Sequence, residues 1–309
     1  MSTCAASYKT VLFCVLSVSC VLMTAVCARA QTVESVGTRA QGMGGAFLAV
    51  ADDATATWWN PAGLATGALF NALVEYDHPR TPAGTSIKGL AFAIPSFGFS
   101  YYRLPINQMR PAGSTGTAAE SRQDQGVLSV YGATAGQSVG THLVVGSTLK
   151  LVRAGQSHPD LDIGAMARFG IARVAAVVKN VRKPTFDTDE GPLELKRQAR
   201  VGAALLGQTS GLVNQLALAF DADLTTVQTK VGDERHIAGG LEVLAWKKIV
   251  AARIGASANT VGARRAALSG GLSLMFASGT YVKSYLDTHL TGGSDEARRG
   301  WGAALRVTF

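Results

Sequence analysis

Residues 37–65 read GTRAQGMGGAFLAVADDATATWWNPAGLA, and their composition sets them apart from every segment that follows. Glycines crowd the first half, two adjacent carboxylates follow, and a pair of tryptophans leads into an Asn-Pro dipeptide. The stretch lacks the alternation of apolar and polar residues that is typical of a half-buried strand. Its candidate functional residues are Gly42, Gly44, Gly45, Asp52, Asp53, Trp58, Trp59, Asn60 and Pro61.

A short helix is predicted within this stretch. Either Asp52 or Asp53 can accept the unpaired backbone N–H groups at the start of a helix over residues 54–59. Pro61 disfavours a helical conformation for Asn60 and therefore ends that helix. The glycines permit the backbone to lie close to a neighbouring wall. For the two tryptophans, packing against such a wall and contact with a ligand are both open.

The first thirty residues have the organisation of a secretory signal peptide. Lys9 precedes an apolar run over residues 11–26, and the small residues Ala28 and Ala30 frame a cleavage site. The mature chain is therefore predicted to begin at Gln31. A transmembrane anchor is the alternative, but three hydroxyl side chains interrupt the run, which is shorter than the roughly 20 residues of a membrane span.

All four cysteines lie inside the predicted signal peptide, at positions 4, 14, 20 and 27. The mature chain is thus expected to hold no disulfide and no cysteine-ligated metal. Lipid attachment to Cys20 or Cys27 is an alternative to plain cleavage. Against it, Cys27 follows the branched Val26, and Cys20 lacks an aliphatic residue three positions earlier.

The net charge of the mature chain is small. Without Lys9 and Arg29, 27 of the 29 basic residues remain against 21 acidic ones, which leaves a charge of +6. The chain lacks the clustered basic face of a nucleic-acid-binding protein, so no nucleic-acid partner is predicted. Surface solvation accounts for the excess, and attraction to anionic lipid head groups is open as a second contribution.

After the glycine-rich stretch, short runs alternate with the period of a β-strand. In the last run one face is apolar with aromatic ends and the other is small and polar: Trp301, Ala303, Leu305, Val307 and Phe309 against Gly302, Ala304, Arg306 and Thr308. A soluble sandwich would bury bulky partners on both inner faces. Here the polar faces are rich in Gly, Ala and Ser, which is typical of the crowded interior of a membrane barrel.

About fourteen such runs can be counted. We predict strands at residues 70–78, 85–94, 97–104, 124–133, 141–153, 160–168, 171–180, 195–206, 214–224, 235–245, 248–257, 265–277, 280–289 and 300–309. Tight turns are predicted after the second, sixth, tenth and twelfth strands, at residues 95–96, 169–170, 246–247 and 278–279. Long polar loops are predicted after the third, seventh, ninth and thirteenth strands, at residues 105–123, 181–194, 225–234 and 290–299.

Short turns at one end and long loops at the other are the asymmetry of an outer-membrane barrel. A closed barrel also leaves no unpaired strand edge in the bilayer. The predicted fold class is therefore all-β, a transmembrane antiparallel barrel of about fourteen strands. The glycine-rich stretch is the segment available to fill its lumen as an N-terminal plug.

A resemblance to known barrels is carried by this same stretch. The runs Gly42-Met43-Gly44-Gly45-Ala46, Ala51-Asp52-Asp53-Ala54-Thr55 and Trp59-Asn60-Pro61-Ala62-Gly63-Leu64 resemble the N-terminal signature of the FadL-like and PorV-like outer-membrane barrels. The resemblance implies that the segment folds into short helices and loops that plug a barrel of fourteen strands. The terminal Phe309 resembles the tag that the bacterial barrel-insertion machinery recognises, and this machinery is a predicted partner.

Catalytic motifs are present only as isolated matches. Residues 136–140 fit G-x-S-x-G, but that motif needs a strand before it and a helix after it, and here a strand follows, so a turn is predicted. Residues 147–150 fit S-x-x-K, yet positions three apart on a strand point to opposite faces. The five histidines lack metal-ligand spacing, and Phe47 occupies the place of the third glycine of a phosphate-binding loop. We predict no enzyme activity, no cofactor and no metal.

Seven charged residues fall on faces that the alternation places in the lumen. A buried charge is costly unless it is paired or hydrated, so these residues predict either a structural network that holds the plug or a polar lining that selects what passes. They are Glu75, Lys150, Asp221, Asp223, Glu242, Arg253 and Arg306.

The predicted organisation is a signal peptide over residues 1–30, a plug over 31–68 and an outer-membrane barrel over 69–309. By the resemblance, the first functional hypothesis is that small hydrophobic molecules pass through or bind to this barrel in the outer membrane. The alternative is a PorV-like barrel that serves as a secretion-system subunit or binds secreted cargo. A structural or adhesive barrel is a third hypothesis. The polar character of the long loops, including residues 111–124 and 186–194, and the short chain favour the PorV side of the group.

Overall fold

The computed structural model describes residues 36–78, 86–105, 127–188, 191–229, 232–262, 265–289 and 300–309. The predicted signal peptide, its cysteines and most of the predicted loops 105–123 and 290–299 lie outside these residues. None of the helices in the described ranges is long and apolar enough to cross a membrane.

Fourteen antiparallel strands form a closed barrel, which confirms the predicted fold and strand number. Each strand pairs with its neighbours in chain order, and β1 closes the ring by pairing with β18. The barrel strands are β1 (Asn71–His78), β2 (Ile87–Ile94), β3 (Phe97–Pro105), β4 (Val127–Val139), β5 (Leu143–Ala154), β6 (Gln156–Phe169), β7 (Ala172–Lys179), β10 (Gln198–Gln208), β11 (Val213–Asp223), β14 (His236–Ala245), β15 (Val250–Asn259), β16 (Ala266–Ala277), β17 (Thr280–His289) and β18 (Gly300–Thr308).

The predicted alternation of faces is present in the structure. On β18 Trp301 is exposed and Ala304 is buried, and on β5 Leu149 is exposed while its neighbour Lys150 is buried. Most large apolar side chains of the barrel wall point outward, and 35 large hydrophobic residues of the described chain, some of them in turns, are exposed. The barrel is therefore apolar outside, while all but three of the charges on its described strands lie inside, which is the reverse of a soluble sandwich.

Two predicted strand boundaries are wrong near turns. β4 continues to Val139, so Gly136 and Ser138 of the G-x-S-x-G match lie on the strand and only Gly140 lies in the turn that was predicted for all five residues. β6 begins at Gln156 rather than at residue 160, because the one-residue connection at Gly155 lets the strands pair to their ends. Gly155 has a φ of 73°, a conformation that glycine adopts without strain.

Short hairpins occupy two connections that were predicted as plain loops. β8 (Thr185–Thr188) pairs with β9 (Gly191–Glu194), and β12 (Val227–Thr229) pairs with β13 (Gly232–Glu234). These strands are three or four residues long, too short for an alternation pattern to reveal them. Both hairpins extend the end of the barrel that carries the long connections.

The glycine-rich stretch forms a helix at Thr38–Gly42, a second helix at Ala56–Trp59 and a 3₁₀ helix at Pro61–Thr66. The second helix begins two residues later than predicted. Asn60 is extended, with φ −156° and ψ 105°, so the predicted helix end before Pro61 is confirmed. The 3₁₀ helix was not predicted; Pro61 at its first position loses no hydrogen bond there.

Candidate functional site

The candidate site is the segment from Val36 to Thr66, hereafter the luminal segment, and the inner wall that surrounds it. Its central residues from Ala46 to Ala51 are completely buried. It meets inward-facing wall residues on several sides: Gly44 contacts Ala256 of β15, and Pro61 contacts Gly164 of β6. The segment is therefore packed inside the barrel.

Glycines on the wall make room for this segment. A Cβ atom at Gly240 would lie 2.8 Å from the Cβ of Met43, and one at Gly202 would lie 2.9 Å from the Cβ of Leu48. These distances are shorter than real carbon contacts, so the two positions admit only glycine while the segment stays in place. The small inner face that the sequence displays is thus explained by the segment it surrounds.

Arg39 is the centre of a buried ionic network. Its Nε and one terminal nitrogen donate to the two carboxylate oxygens of Glu242 at 2.8 and 2.6 Å, and its other terminal nitrogen donates to Asp52 at 2.5 Å. Arg253 on β15 donates to the same Glu242 at 2.5 Å and to Ser273 at 2.6 Å. Two wall strands are thereby connected to the first luminal helix by charge-assisted hydrogen bonds.

Asp53 connects the luminal segment to the adjoining part of the wall, on β17 and β18. One carboxylate oxygen lies 3.4 Å from the Lys283 nitrogen and 3.9 Å from Arg306, and the other accepts the backbone N–H of Thr55 at 3.0 Å. Burial disfavours the charged form, but Lys283, Arg306 and Arg39 outweigh it and hold the pKa of Asp53 well below its usual range. Asp53 is therefore an anion within the lumen.

Arg39 is correspondingly held as a cation. Burial alone would lower its pKa, but the carboxylates of Asp52, Glu242 and Asp53 outweigh this effect and raise the pKa of Arg39 well above its ordinary value. The predicted role of Asp52 or Asp53 as a helix cap is wrong for Asp52, which pairs with Arg39 instead. Asp53 accepts an N–H one residue before the helix begins, and Thr55 occupies the cap position without a side-chain bond.

Two wall carboxylates accept backbone N–H groups of the luminal segment. Glu75 on β1 accepts from Gly37 at 3.0 Å and Thr38 at 3.2 Å, where the first luminal helix begins. Asp221 on β11 accepts from Phe47 at 2.7 Å and Leu48 at 2.9 Å. Both contacts satisfy donors that the folded segment leaves unpaired, so the wall completes the hydrogen bonding of the segment.

Close packing holds the other end of the segment. Asn60 donates to the Leu48 carbonyl at 3.1 Å and to the Ala165 carbonyl of β6 at 3.4 Å, while its side-chain oxygen accepts from Ala62 at 3.2 Å. Pro61 lies against Gly164, where an added Cβ would approach its Cδ to 2.9 Å. No ion pair of the described residues involves the stretch from Ala56 to Thr66, so packing and neutral hydrogen bonds hold this end.

The two tryptophans differ in their surroundings. Trp59 is buried against Phe47, with ring centroids 6.0 Å apart, and its indole N–H donates to the Val36 carbonyl at 2.7 Å. Trp58 is half-buried, packs edge-on against Tyr102 at 5.4 Å and has the Lys179 nitrogen 4.0 Å above its ring. Packing therefore accounts for most of the Trp59 ring, which is 6% exposed, whereas Trp58 is the more open of the two.

A cavity of about 70 Å³ lies above the luminal segment. Its walls come from the ends of strands that lead into the long connections, including Lys179, Arg200, Asp223 and His236, so it lies at the long-loop mouth. Its floor consists of Gly44, Gly45, Trp58 and Trp59. Arg200 donates to Asp223 at 2.5 Å, and the charged pair forms one side of the cavity.

All seven charges predicted in the lumen face inward, and they divide into two groups. Glu75, Asp221, Glu242, Arg253 and Arg306 surround the luminal segment. Lys150 and Asp223 lie nearer the mouth, where Lys150 pairs with Asp160 at 3.0 Å and with Asp162 at 2.7 Å. Sequence reasoning missed Arg39, Asp160, Asp162 and Lys283, although the alternation of β6 and β17 places the last three on the inner face.

The predicted site residues are brought together within the luminal segment, but they do not converge on one point. Gly44, Gly45, Trp58 and Trp59 border the cavity; Asp52 and Asp53 belong to the ionic network; Gly42, Asn60 and Pro61 contact the wall. Within the described ranges no cluster of three His, Cys, Asp or Glu side chains could hold a metal ion. The arrangement can bind or obstruct a molecule.

Comparisons with known proteins agree with the fold. No protein-family model matches the sequence, and no curated protein matches it. The CymD monoaromatic hydrocarbon channel superposes with a TM-score of 0.61 at 14% identity, over 91% of this chain and 99% of that chain. The Ralstonia pickettii toluene transporter TbuX gives 0.61 at 12% identity, over 90% and 99%. A Pseudomonas aeruginosa FadL homologue gives 0.52 at 10% identity, over 90% and 98%.

These similarities show that the chain has the fold of the FadL-type barrels, which confirms that part of the predicted resemblance. The resemblance to PorV-like barrels stays a prediction.

Proposed function

We propose that this protein is a non-enzymatic outer-membrane barrel that admits small hydrophobic molecules from its long-loop mouth, with the luminal segment as the gate. One observation carries the proposal: the cavity at that mouth ends on Trp58, in a barrel that shares its fold with hydrocarbon channels. The proposed organisation is a signal peptide over residues 1–30, a plug over 31–68 and the barrel over 69–309, and the proposed function requires no cofactor.

Outer-membrane placement is supported by the outer surface of the barrel. Its exposed side chains are mainly apolar, and the closed ring of strands leaves no edge that lipid could not hydrogen-bond. Phe309 ends the chain next to β1, where its backbone pairs with Phe70. We propose that the barrel-insertion machinery recognises this last strand.

Trp58 is the proposed first contact of the incoming molecule. An indole face offers a large apolar area, and here the Lys179 ammonium covers it from 4.0 Å. An apolar ligand that stacks on this ring displaces the ammonium toward water. Aromatic hydrocarbons suit the site because they can stack on the Trp58 ring where the Lys179 ammonium now lies.

Movement of the luminal segment is the proposed second step. Residues from Ala46 to Ala51 are wholly buried, and the glycine positions of the wall leave no space beside them. A molecule in the cavity can therefore go further only when the segment shifts away from the wall. The ionic contacts of Arg39 and Asp53 set the energy of that shift.

Uptake into liposomes tests the proposal. Purified protein is reconstituted and the entry of radiolabelled toluene or of a fatty acid is measured with no other protein present. We expect uptake above that of empty liposomes and a reduced rate for Trp58→Ala. Trp246→Ala, which removes an exposed tryptophan from a turn at the other end of the barrel, is the matched control and is expected to leave the rate unchanged.

The absence of uptake by folded protein would contradict the transport proposal. A mature protein found in the soluble periplasm, or one whose gel mobility is the same before and after boiling, would contradict the membrane placement. Each result refers to a different part of the proposal, so the two failures can be told apart.

A second candidate function is binding without passage, as in a PorV-like subunit of a secretion complex. The dense attachment of the luminal segment favours it, because a permanently closed barrel needs such contacts on every side. Stable protein partners recovered from cell envelopes, together with no uptake in liposomes, would favour this candidate over transport.

A further inference from the structure

The outward-facing positions of the described barrel strands carry very few charges. The alternation of every strand places Asp, Glu and nearly all Lys and Arg residues on the inner face. Three basic residues are the exceptions, all exposed and all at the long-loop ends of strands in one part of the wall, from β2 to β5: Lys88 on β2, Arg103 on β3 and Arg153 on β5. We call them the outer basic row.

The strand register brings these side chains together. Lys88 is directly opposite Arg103, so their Cα atoms are separated by about one strand spacing, roughly 5 Å. Arg103 is opposite Ser129 on β4, and Ser129 is opposite Arg153. Like charges in direct cross-strand pairs repel one another. No outward-facing carboxylate of the described barrel strands relieves this repulsion, and an anion from outside the protein would do so.

The next outward row toward the short turns is apolar. It consists of Leu90, Tyr101, Tyr131 and Leu151, each opposite the next, and the rings of Tyr101 and Tyr131 are 4.9 Å apart. Tyrosines on a lipid-facing surface sit at the level of the head groups, with the apolar ring toward the acyl chains. The outer basic row lies on the loop side of these tyrosines, which is where lipid phosphates are found.

We propose that the outer basic row is a binding site for the phosphate groups of membrane lipid on the long-loop side of the bilayer. The Arg103 guanidinium can hold two phosphate oxygens at once, and the Lys88 ammonium adds a second charge beside it. The Tyr101 and Leu90 surface below contacts the acyl chains of the same lipid. Free phosphate lacks this second contact. This proposal rests on the proposed membrane placement of the barrel and does not depend on whether the barrel transports a ligand.

Thermal unfolding in detergent tests the site. In detergent both ends of the barrel are accessible to added lipid, so the result does not depend on the direction in which the barrel inserts into a bilayer. Protein in a zwitterionic detergent is titrated with lipid A, a phosphorylated glycolipid, and the midpoint of the heat-induced gel shift is measured. We expect the midpoint of the wild type to rise with lipid A and to stay constant with dephosphorylated lipid A or with inorganic phosphate. For K88Q/R103Q we expect roughly twenty-five-fold weaker apparent affinity, about fivefold for each basic side chain.

A double variant at the other end of the barrel is the matched control. Lys247 and Lys248 are exposed in the turn between β14 and β15, and K247Q/K248Q removes the same charge from a surface outside the row. We expect it to respond to lipid A as the wild type does. An equal response of K88Q/R103Q, an unresponsive wild type, or an equal response to inorganic phosphate would overturn the proposal. A wild type that shows no gel shift at all would instead contradict the membrane placement.

Discussion

The two ends of the luminal segment are attached to the barrel in different ways. The first end, from Gly37 to Asp53, packs against wall glycines and is in addition held by charges, with Arg39 bonded to Glu242 and Asp53 close to Lys283. The last end, from Thr57 to Thr66, is held by shape, with Pro61 against a wall glycine. Water that enters the lumen can solvate and screen the charged contacts of the first end, whereas it offers no such replacement for the apolar packing of the last end. We infer that the first end moves and the last end is the anchor.

The first prediction tests the charged contacts of the first end and has the largest expected effect. Glu242→Gln removes the carboxylate that Arg39 and Arg253 share, which leaves two buried cations with fewer partners. Loss of one member of a buried pair costs about 3–5 kcal/mol. We expect a clear fall in the midpoint of the heat-induced gel shift and faster leakage of small solutes from liposomes.

Glu194→Gln is the control for this prediction, because Glu194 is exposed in the short hairpin. Its midpoint and leakage are expected to match the wild type. If the midpoint of the heat-induced gel shift were the same for Glu242→Gln and the wild type, the network around Arg39 would contribute nothing to attachment of the segment.

The second prediction tests the packing of the last end. Gly164→Val places a branched side chain where Pro61 and the Asn60 side chain lie, and overpacking of this kind costs about 1–3 kcal/mol. We expect a lower midpoint and displacement of the last end from the wall. Gly207→Val is the control, since no atom lies within 4 Å of a Cβ at that position. Equal midpoints for the two variants would contradict the packed anchor.

The third prediction concerns a single polar contact at the packed end. Asn60→Ala removes the donor to the Leu48 and Ala165 carbonyls and the acceptor for the Ala62 N–H. A lost buried hydrogen bond costs about 1–3 kcal/mol, and water that enters the space reduces this cost. We expect the midpoint to fall less than in Glu242→Gln. A larger fall would mean that hydrogen bonds, rather than shape, hold this end.

The fourth prediction concerns pH and has the smallest expected effect. The folded pKa of Asp53 is depressed, so its stabilisation is fully present above the unfolded pKa near 3.8 and is lost as pH falls toward the folded value. The midpoint difference between wild type and Asp53→Asn is therefore expected to stay constant from pH 7 to pH 5 and to shrink below pH 4. A difference that shrinks between pH 7 and pH 5 would contradict the assignment.

The fold was predictable from sequence because strand alternation is a local signal. The last strand showed its two faces from Trp301 to Phe309, and each of the fourteen runs corresponds to a barrel strand. Strand ends were less accurate where pairing decides them, as at Gln156, whose partner Ala154 is separated from it by a single glycine. Hydrogen bonds to a neighbouring strand extend a strand past the point where its own pattern stops.

The site was predictable only in part. The composition of the glycine-rich stretch marked it as the luminal segment, and alternation placed Glu242 and Asp221 inward. The role of Arg39 could not be predicted, since its partner Glu242 is 203 positions away in the chain. Contacts over such separations depend on how the luminal segment is placed against the wall strands. Local sequence patterns do not predict that placement.

The most direct test of the gate uses a reversible crosslink between the luminal segment and the wall. A Cβ at Gly42 would lie 3.2 Å from the Cα of Gly271, so the luminal segment and β16 are in direct contact here, and a small local shift would let two cysteines at these positions form a disulfide. The native cysteines all lie within the first 27 residues, in the predicted signal peptide, so a Gly42→Cys/Gly271→Cys pair would supply the thiols of the mature chain. Gly42→Cys alone is the control.

Toluene uptake by this double variant in liposomes is measured under oxidising conditions and again after addition of a reductant. If the first end of the luminal segment is the gate, uptake is low in the oxidised protein and returns on reduction, while the single variant shows no dependence on the reductant. Equal uptake in the oxidised and reduced double variant, with the crosslink confirmed by mass spectrometry, would contradict the gate.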